Sequence, residues 1–448
     1  MSQINLKKNI ALSSISKILT IIAAFVTNWF LARYLGPELR GKYVYLFTLN
    51  SIIWMFLDLG VHKSYPYLLQ NKKAHLNNLY NVALLTFIVG LGLVFGLYFL
   101  AGDFFYNLLH QDYPRYLLLA LGIYIVSFQF YMRAQFLQLG MNYVREYSIM
   151  AFLPTFFFML LIIPLYSLMP SGQRVEYSFM LNVGVFVFFL LVLQWRFKHA
   201  FSLKAPINKR IIGLSYKLGI RAFISEYLIM LLMRMDLIIL KALGSYAQVG
   251  VYTLAVNFVD IINMSCNTIG AVLLVKLSSL NDELAALSIM RRIFLIVSII
   301  NIVAILGMAI FGRWFIGTLY GVGYLDAYTA FLLLIPAIFG ITLGALFNTF
   351  IWSKGFPLIS MLAPIGPLLL KLALNYMLVP QYGLFGTSIA SSICYVLWFI
   401  IMLSWYFVKH PEMKLLLLCP KREDFREIAN YSSAGLNWLK HRIGFRIS

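Results

Sequence analysis

Twelve runs of roughly twenty apolar residues punctuate this chain, and no other feature limits its fold so tightly. A helix of about that length crosses the hydrocarbon of a bilayer while satisfying every backbone donor and acceptor within itself. The runs fall at 9–34, 42–63, 79–101, 115–138, 147–168, 177–197, 213–240, 249–277, 293–313, 325–351, 356–378 and 384–408. The run at 213–240 is the least apolar, because it carries Lys217, Arg221, Glu226, Arg234 and Asp236. Of 448 residues, 61% are hydrophobic and only 12% charged, where soluble domains carry about 25% charge. A soluble nucleic-acid binder cannot hide so much apolar surface, so the formal charge of +20 does not imply a nucleic-acid partner. The expectation is an all-α polytopic membrane protein.

Lys and Arg set its orientation, because loops rich in them stay in the cytoplasm. They crowd the segments on the N-terminal side and the tail, from Lys7 and Lys8 through Arg196, Lys209, Arg291 and Lys354 to Arg446. The opposite side offers only Arg40, Lys42, Arg115, Arg174, Lys241 and Arg313. Both termini are therefore expected in the cytoplasm, and most of the +20 reports topology. The first apolar run is too long for a signal peptide and lacks a small-residue cleavage site, so it is expected to remain as a helix. In the tail, basic groups at 421–446 alternate with Phe425, Ile428, Leu436, Trp438, Leu439 and Ile443, as in a helix lying on anionic lipid.

The chain reads as two six-helix halves. Leu35-Gly36 and Gly41-Lys42-Tyr43 follow the first run, and Leu243-Gly244 and Gly250-Val251-Tyr252 follow the seventh, about 209 residues later. Gly140 and Gly355 close the fourth and tenth runs in the same way. Six helices per half give a parallel repeat, which places a pathway between halves near the bilayer midplane. Residues 1–199 are then an N-terminal lobe, 200–409 a C-terminal lobe, and 410–448 a basic tail. The expected fold is two six-helix pseudo-repeat bundles around a central cavity.

Charges inside the runs carry the functional reading, since each costs roughly 2.5–3.5 kcal/mol at mid-bilayer on insertion scales. Seven are basic (Lys17, Arg33, Arg133, Lys217, Arg221, Arg234, Lys371) and four acidic (Asp58, Glu226, Asp236, Asp260). That balance favours an anionic cargo. Lys217 and Arg221 share one helical face, where an anion would relieve their repulsion, and Arg suits bidentate phosphate binding. Lys17 and Arg221 also sit near enough to a helix end to snorkel. Lys371 lies too deep for that, in a helix kinked by Pro364, Gly366 and Pro367, where pairing with an acid is the alternative. Arg133 reads as a rim contact. Lys17, Lys217, Arg221, Lys371 and Arg133 are the candidate substrate contacts.

Asp260 shares a face with Asn257 and Asn263 and is the leading candidate for a coupling H⁺ or Na⁺, with Asp58 and Glu226 ranked below it. Arg234 and Asp236, two apart, do not face each other and suggest a packing network. Phe156-Phe157-Phe158 and Phe186-Val187-Phe188-Phe189 read as helix packing rather than sugar platforms. Cys266, Cys394 and Cys419 imply no disulfide framework. The six histidines fall in loops or the tail without metal-ligand spacing. No metal or cofactor is expected. Nor is catalysis, for which the outward loops offer only Asp103, His110 and Asp112 and no nucleophile constellation.

LARYLGPELRGKYVY and FLDLGVHKSYPYLL near the start, RMDLIILKALGSYAQVGVYTLAVNFVD at the seventh-to-eighth junction, and LYGVGYLDAY and VPQYGLFGTSIAS later resemble one family across nearly the whole chain. It is that of polysaccharide-exporting flippases of the multidrug/oligosaccharidyl-lipid/polysaccharide superfamily. The resemblance implies an undecaprenyl-diphosphate-linked oligosaccharide as cargo, moved across a bacterial inner membrane, with membrane lipids and polysaccharide polymerase machinery as partners. Twelve helices fit its O-antigen and capsule type; the peptidoglycan-precursor type, which flips lipid II, usually has two more. A drug or metabolite cation antiporter of the same superfamily is the alternative, and it would call for an acidic interior.

Overall fold

The computed structural model describes residues 3–108, 112–199, 209–278, 283–353 and 358–411; the side chains of 3–14, of Arg221 and Ala222, and of several residues between 265 and 284 lie outside that description. So do Gly355, the tail beyond 411 and its expected surface helix. The described residues form helices and short 3-10 turns, with no strand among them.

In chain order the helices are α1 (Gln3–Asp58), α2 (Val61–Gln70), α3 (Leu76–Leu108), α4 (Arg115–Gly140), α5 (Val144–Leu165), α6 (Arg174–Arg196) and α7 (Lys209–Leu243). There follow α8 (Tyr246–Ser278), α9 (Glu283–Leu319), α10 (Asp326–Leu333), α11 (Ile335–Ser353), α12 (Leu358–Leu362), α13 (Ile365–Tyr382) and α14 (Leu384–Lys409). Each of the twelve expected spans falls on helix. The first lies on α1, which Gly36 breaks with φ 73° ahead of Pro37, and the second runs from α1 across Gly60 into α2. The tenth is divided between α10 and α11, and the eleventh between α12 and α13. Nine helices among the described residues are long and apolar enough to cross a membrane by themselves. α7 and α8 are long enough, at 35 and 33 residues, but more polar.

The chain divides into two compact units. Residues 1–253 with 317–324 make the first, and 254–316 with 325–448 the second. In the first, α1 packs on α4, α5, α6 and α7, and α2 on α4 and α7. In the second, α14 is the central element, with α10, α11 and α13 against it.

Within the first unit the two repeat copies meet. A Cβ on Gly41 would stand 1.8 Å from Tyr246 O, and one on Gly250 would stand 1.9 Å from Pro37 O. Glycine is the residue that allows so close a backbone crossing. The two contacts are reciprocal at the 209-residue offset read from the sequence, so the repeated glycines are the two sides of one crossing.

Candidate functional site

Sequence expectation placed Arg133 at a rim and His62 in a loop; both are buried, at 1% and 4% exposure. They converge on Asp58, itself fully buried at the end of α1. Arg133 Nε donates to Asp58 Oδ1 at 2.7 Å, and Arg133 Nη1 donates to Thr86 Oγ1 at 2.6 Å. His62 Nδ1 lies 2.5 Å from Asp58 Oδ2, which also accepts from the His62 amide at 3.2 Å. Gly60, at φ 69°, turns the chain from α1 into α2 so that residues 58 and 62 face one another across the break. Alpha carbons of Gly60 and Gly219 approach so closely that a Cβ on Gly60 would meet Gly219 O at 2.5 Å, which seats α7 against this turn. Lys63 of α2 then pairs with Glu226 of α7. The carboxylate of Asp58 is thus compensated by a guanidinium and an imidazole, as a buried charge must be.

A second ionic cluster occupies the first unit beside the glycine crossing. Arg40, 1% exposed, donates to Gly250 O at 2.7 Å and to Asn28 Oδ1 at 2.9 Å, and its guanidinium lies 5.5 Å from the Tyr324 ring centroid. Lys241 pairs with Asp112 at 2.8 Å, and Tyr246 donates to the same carboxylate at 2.9 Å. Tyr113 donates to Lys42 O at 3.0 Å, and burial holds its phenol above the ordinary range.

The remaining candidate residues fall in three groups. Lys17 and Lys217 are exposed, on α1 and α7. Ser16 donates to Ser148 O, four residues past the start of α5, at 2.6 Å. Lys17 therefore lies level with the first turns of α5, about 6 Å in at 1.5 Å per residue. Arg221 is on α7, one turn from Lys217, and its side chain is outside the described residues. Asp236 is buried and accepts from Tyr252 Oη at 2.7 Å and from the Leu237 amide at 2.9 Å, joining α7 to α8; Arg234 is half-buried.

Lys371 and Asp260 belong to the second unit. Lys371, 0% exposed on α13, points its ammonium over the Tyr395 ring, 4.6 Å from the centroid, and 3.3 Å from the Tyr395 hydroxyl. A ring face and a hydroxyl stabilise an ammonium without neutralising it. Asp260 is half-buried on α8, one turn from Asn263, whose buried Oδ1 makes no hydrogen bond among the described residues. Elsewhere in this unit two hydrogen bonds join neutral side chains: Asn301 Nδ2 donates to Thr342 Oγ1 at 2.6 Å, and Trp352 Nε1 donates to Ser360 Oγ at 2.5 Å. Among the described residues, no group of three metal-ligating side chains comes together.

Sequence reasoning missed His62, Lys63, Thr86 and Arg40. The spacing of four between Asp58 and His62 was the available signal; the turn at Gly60 concealed it. The 75-residue separation of Asp58 and Arg133 left no local trace at all.

Known proteins set this geometry in context. The family model described as polysaccharide biosynthesis protein matches residues 6–279. No protein of curated function matches the chain by sequence. Among solved structures, the chain is similar to the lipid II flippase MurJ in an inward closed conformation, with TM-score 0.71 and 14% identity over 88% of this chain and 87% of that one. It is similar to a multidrug resistance MATE family transporter of the MOP superfamily in an inward-facing conformation, with TM-score 0.69 and 15% identity over 91% and 99%. A MOP superfamily transporter from Pyrococcus furiosus, described by a reversed polarity of its binding pocket, matches with TM-score 0.62 and 16% identity over 90% and 95%. At these identities the likeness is one of fold.

Proposed function

From the premise that the chain belongs to the polysaccharide biosynthesis protein family, we propose that it is a flippase for lipid-linked oligosaccharide. In this reading the cargo is an undecaprenyl-diphosphate-linked repeat unit of O-antigen or capsule type. It moves from the cytoplasmic to the outer leaflet of the inner membrane of a bacterium by alternating access between lobes 1–199 and 200–409, with both termini cytoplasmic. Lys371 is the observation that supports it best. A lysine held at 0% exposure in an apolar helix, against a ring and a hydroxyl, is costly to bury, and in this reading the anionic cargo offsets that cost. Lys17, Lys217 and Arg221 would draw the diphosphate in. The lipid tail stays in the bilayer.

Arg133, by contrast, is committed to Asp58 and Thr86, so its role in this reading is to set the positions of α1, α3 and α4. Asp260, half-buried one turn from Asn263, is the proposed coupling site for H⁺ or Na⁺; Asp58 and Glu226 pair with Arg133 and Lys63. A cation antiporter is disfavoured by the seven-to-four excess of basic groups in the spans. The test is surface polysaccharide display in cells carrying Arg221→Ala with Lys371→Ala. Display falls while protein level holds; undiminished display removes the anion site.

A further inference from the structure

A cavity of about 230 Å³ lies inside the first unit, enclosed by α4, α5 and α6. It is several times the roughly 30 Å³ share of one water. Tyr124, Phe128, Phe158 and Phe186 supply aromatic walls, and Gln135, Thr155 and Asn182 supply amides and a hydroxyl. No charged side chain lines it. Gln135 is 3% exposed, and its amide lies beside the Tyr131 hydroxyl, which itself donates to Met150 O at 2.5 Å. A carboxamide has two N–H donors and a carbonyl acceptor, so it has hydrogen-bonding capacity left for an occupant of the cavity.

The lining describes that occupant. Absence of charge excludes a diphosphate or a metal ion, and the amides exclude a purely apolar chain such as the prenyl tail. A pyranose fits: its ring faces are C–H surfaces that lie on aromatic rings, and its rim is a set of hydroxyls that pair with amides. Position narrows it further. Ala151 is the one exposed residue of the lining, and it lies one turn from Ser148, whose carbonyl accepts from Ser16, next to Lys17. From Ser148 to Ala151 the rise along α5 is about 4.5 Å. A residue of the cavity lining is therefore within about one helical turn of the level of a lysine assigned to the diphosphate. Phe158 and Phe186, which sequence expectation gave to packing, become part of a binding wall.

We propose that this cavity is a sugar subsite, which takes the residue joined directly to the diphosphate while Lys17 holds the phosphate. The proposal rests on the flippase reading. Its test uses the purified full chain in lipid nanodiscs and two ligands, undecaprenyl diphosphate bearing a single hexose and the bare undecaprenyl diphosphate. Wild type binds the sugar-bearing lipid about tenfold more tightly, the gain expected from one or two hydrogen bonds with stacking. Gln135→Met keeps the volume and removes the donor; it and Thr155→Val each reduce that preference to about twofold or less. Bare-lipid affinity is unchanged in both, which also reports that they fold. Lys17→Ala weakens both ligands alike. Equal binding of the two lipids by wild type overturns the subsite and leaves the flippase reading standing. A full tenfold preference retained in both cavity variants does the same, showing a cavity filled by water alone. If wild type binds neither lipid, the subsite and the flippase reading fall together.

Discussion

In the first unit two acids are held by full cations, whereas the side-chain contacts described in the second join amides, hydroxyls and an aromatic ring. Asp58, Arg133 and His62 close one ionic knot in the first unit, and Lys241 with Asp112 another. In the second, Asn301 meets Thr342, and Lys371 lies over Tyr395. The two devices answer different demands. A compensated ion pair is stiff, because moving either partner strands a charge in low dielectric. The first unit's knots thus suit fixing helices to one another, whereas in the proposed reading Lys371 meets the anionic cargo.

That contrast yields a graded series of tests. Asp58→Leu strands the Arg133 guanidinium and costs about 3–5 kcal/mol of stability, whereas Asp58→Leu with Arg133→Met recovers most of it. Thermal unfolding in detergent separates the two outcomes, and equal losses in single and double variants would mean that the knot is more than an ion pair. Gly41→Ala forces apart the backbone crossing at Tyr246 and costs about 1–3 kcal/mol, as overpacking does. Asn301→Val in the second unit removes a neutral hydrogen bond to Thr342 and a weaker one from Cys266 and costs about 1–2 kcal/mol; a loss as large as that of Asp58→Leu would erase the distinction between the units. Exchanging Lys63 and Glu226 preserves the pair's charges, and since both side chains are about a quarter exposed the change stays below about 1 kcal/mol.

How legible the molecule was from its sequence follows from the range of each interaction. Spans were legible because hydropathy is local and a bilayer enforces it residue by residue. Their breaks were less so: Gly36 and Pro37 announce the turn in α1, but nothing in LLLIPAIF separates α10 from α11 as plainly. The repeat was visible as Gly41 and Gly250, although only coordinates reveal that the two glycines touch. Charged residues in the spans could be named, yet not matched to their contacts. Arg133 and Lys371 look alike in sequence, each a lone cation in an apolar run. Their difference lies in what the fold brings from far away, Asp58 in one case and Tyr395 in the other. The aromatic clusters at 156–158 and 186–189 likewise gave no sign that Phe158 and Phe186 line a cavity.

The central claim is that Lys371 serves an anionic lipid-linked glycan, and translocation measures it directly. The protein is reconstituted into liposomes carrying undecaprenyl-diphosphate-linked oligosaccharide in the inner leaflet, and glycan reaching the outside is oxidised by a membrane-impermeant reagent. The account predicts rapid access with wild type and a rate lowered about tenfold, one 1.4 kcal/mol step, by Lys371→Met. Translocation at the wild-type rate in Lys371→Met, or none with wild type while cationic drugs are transported, would contradict it.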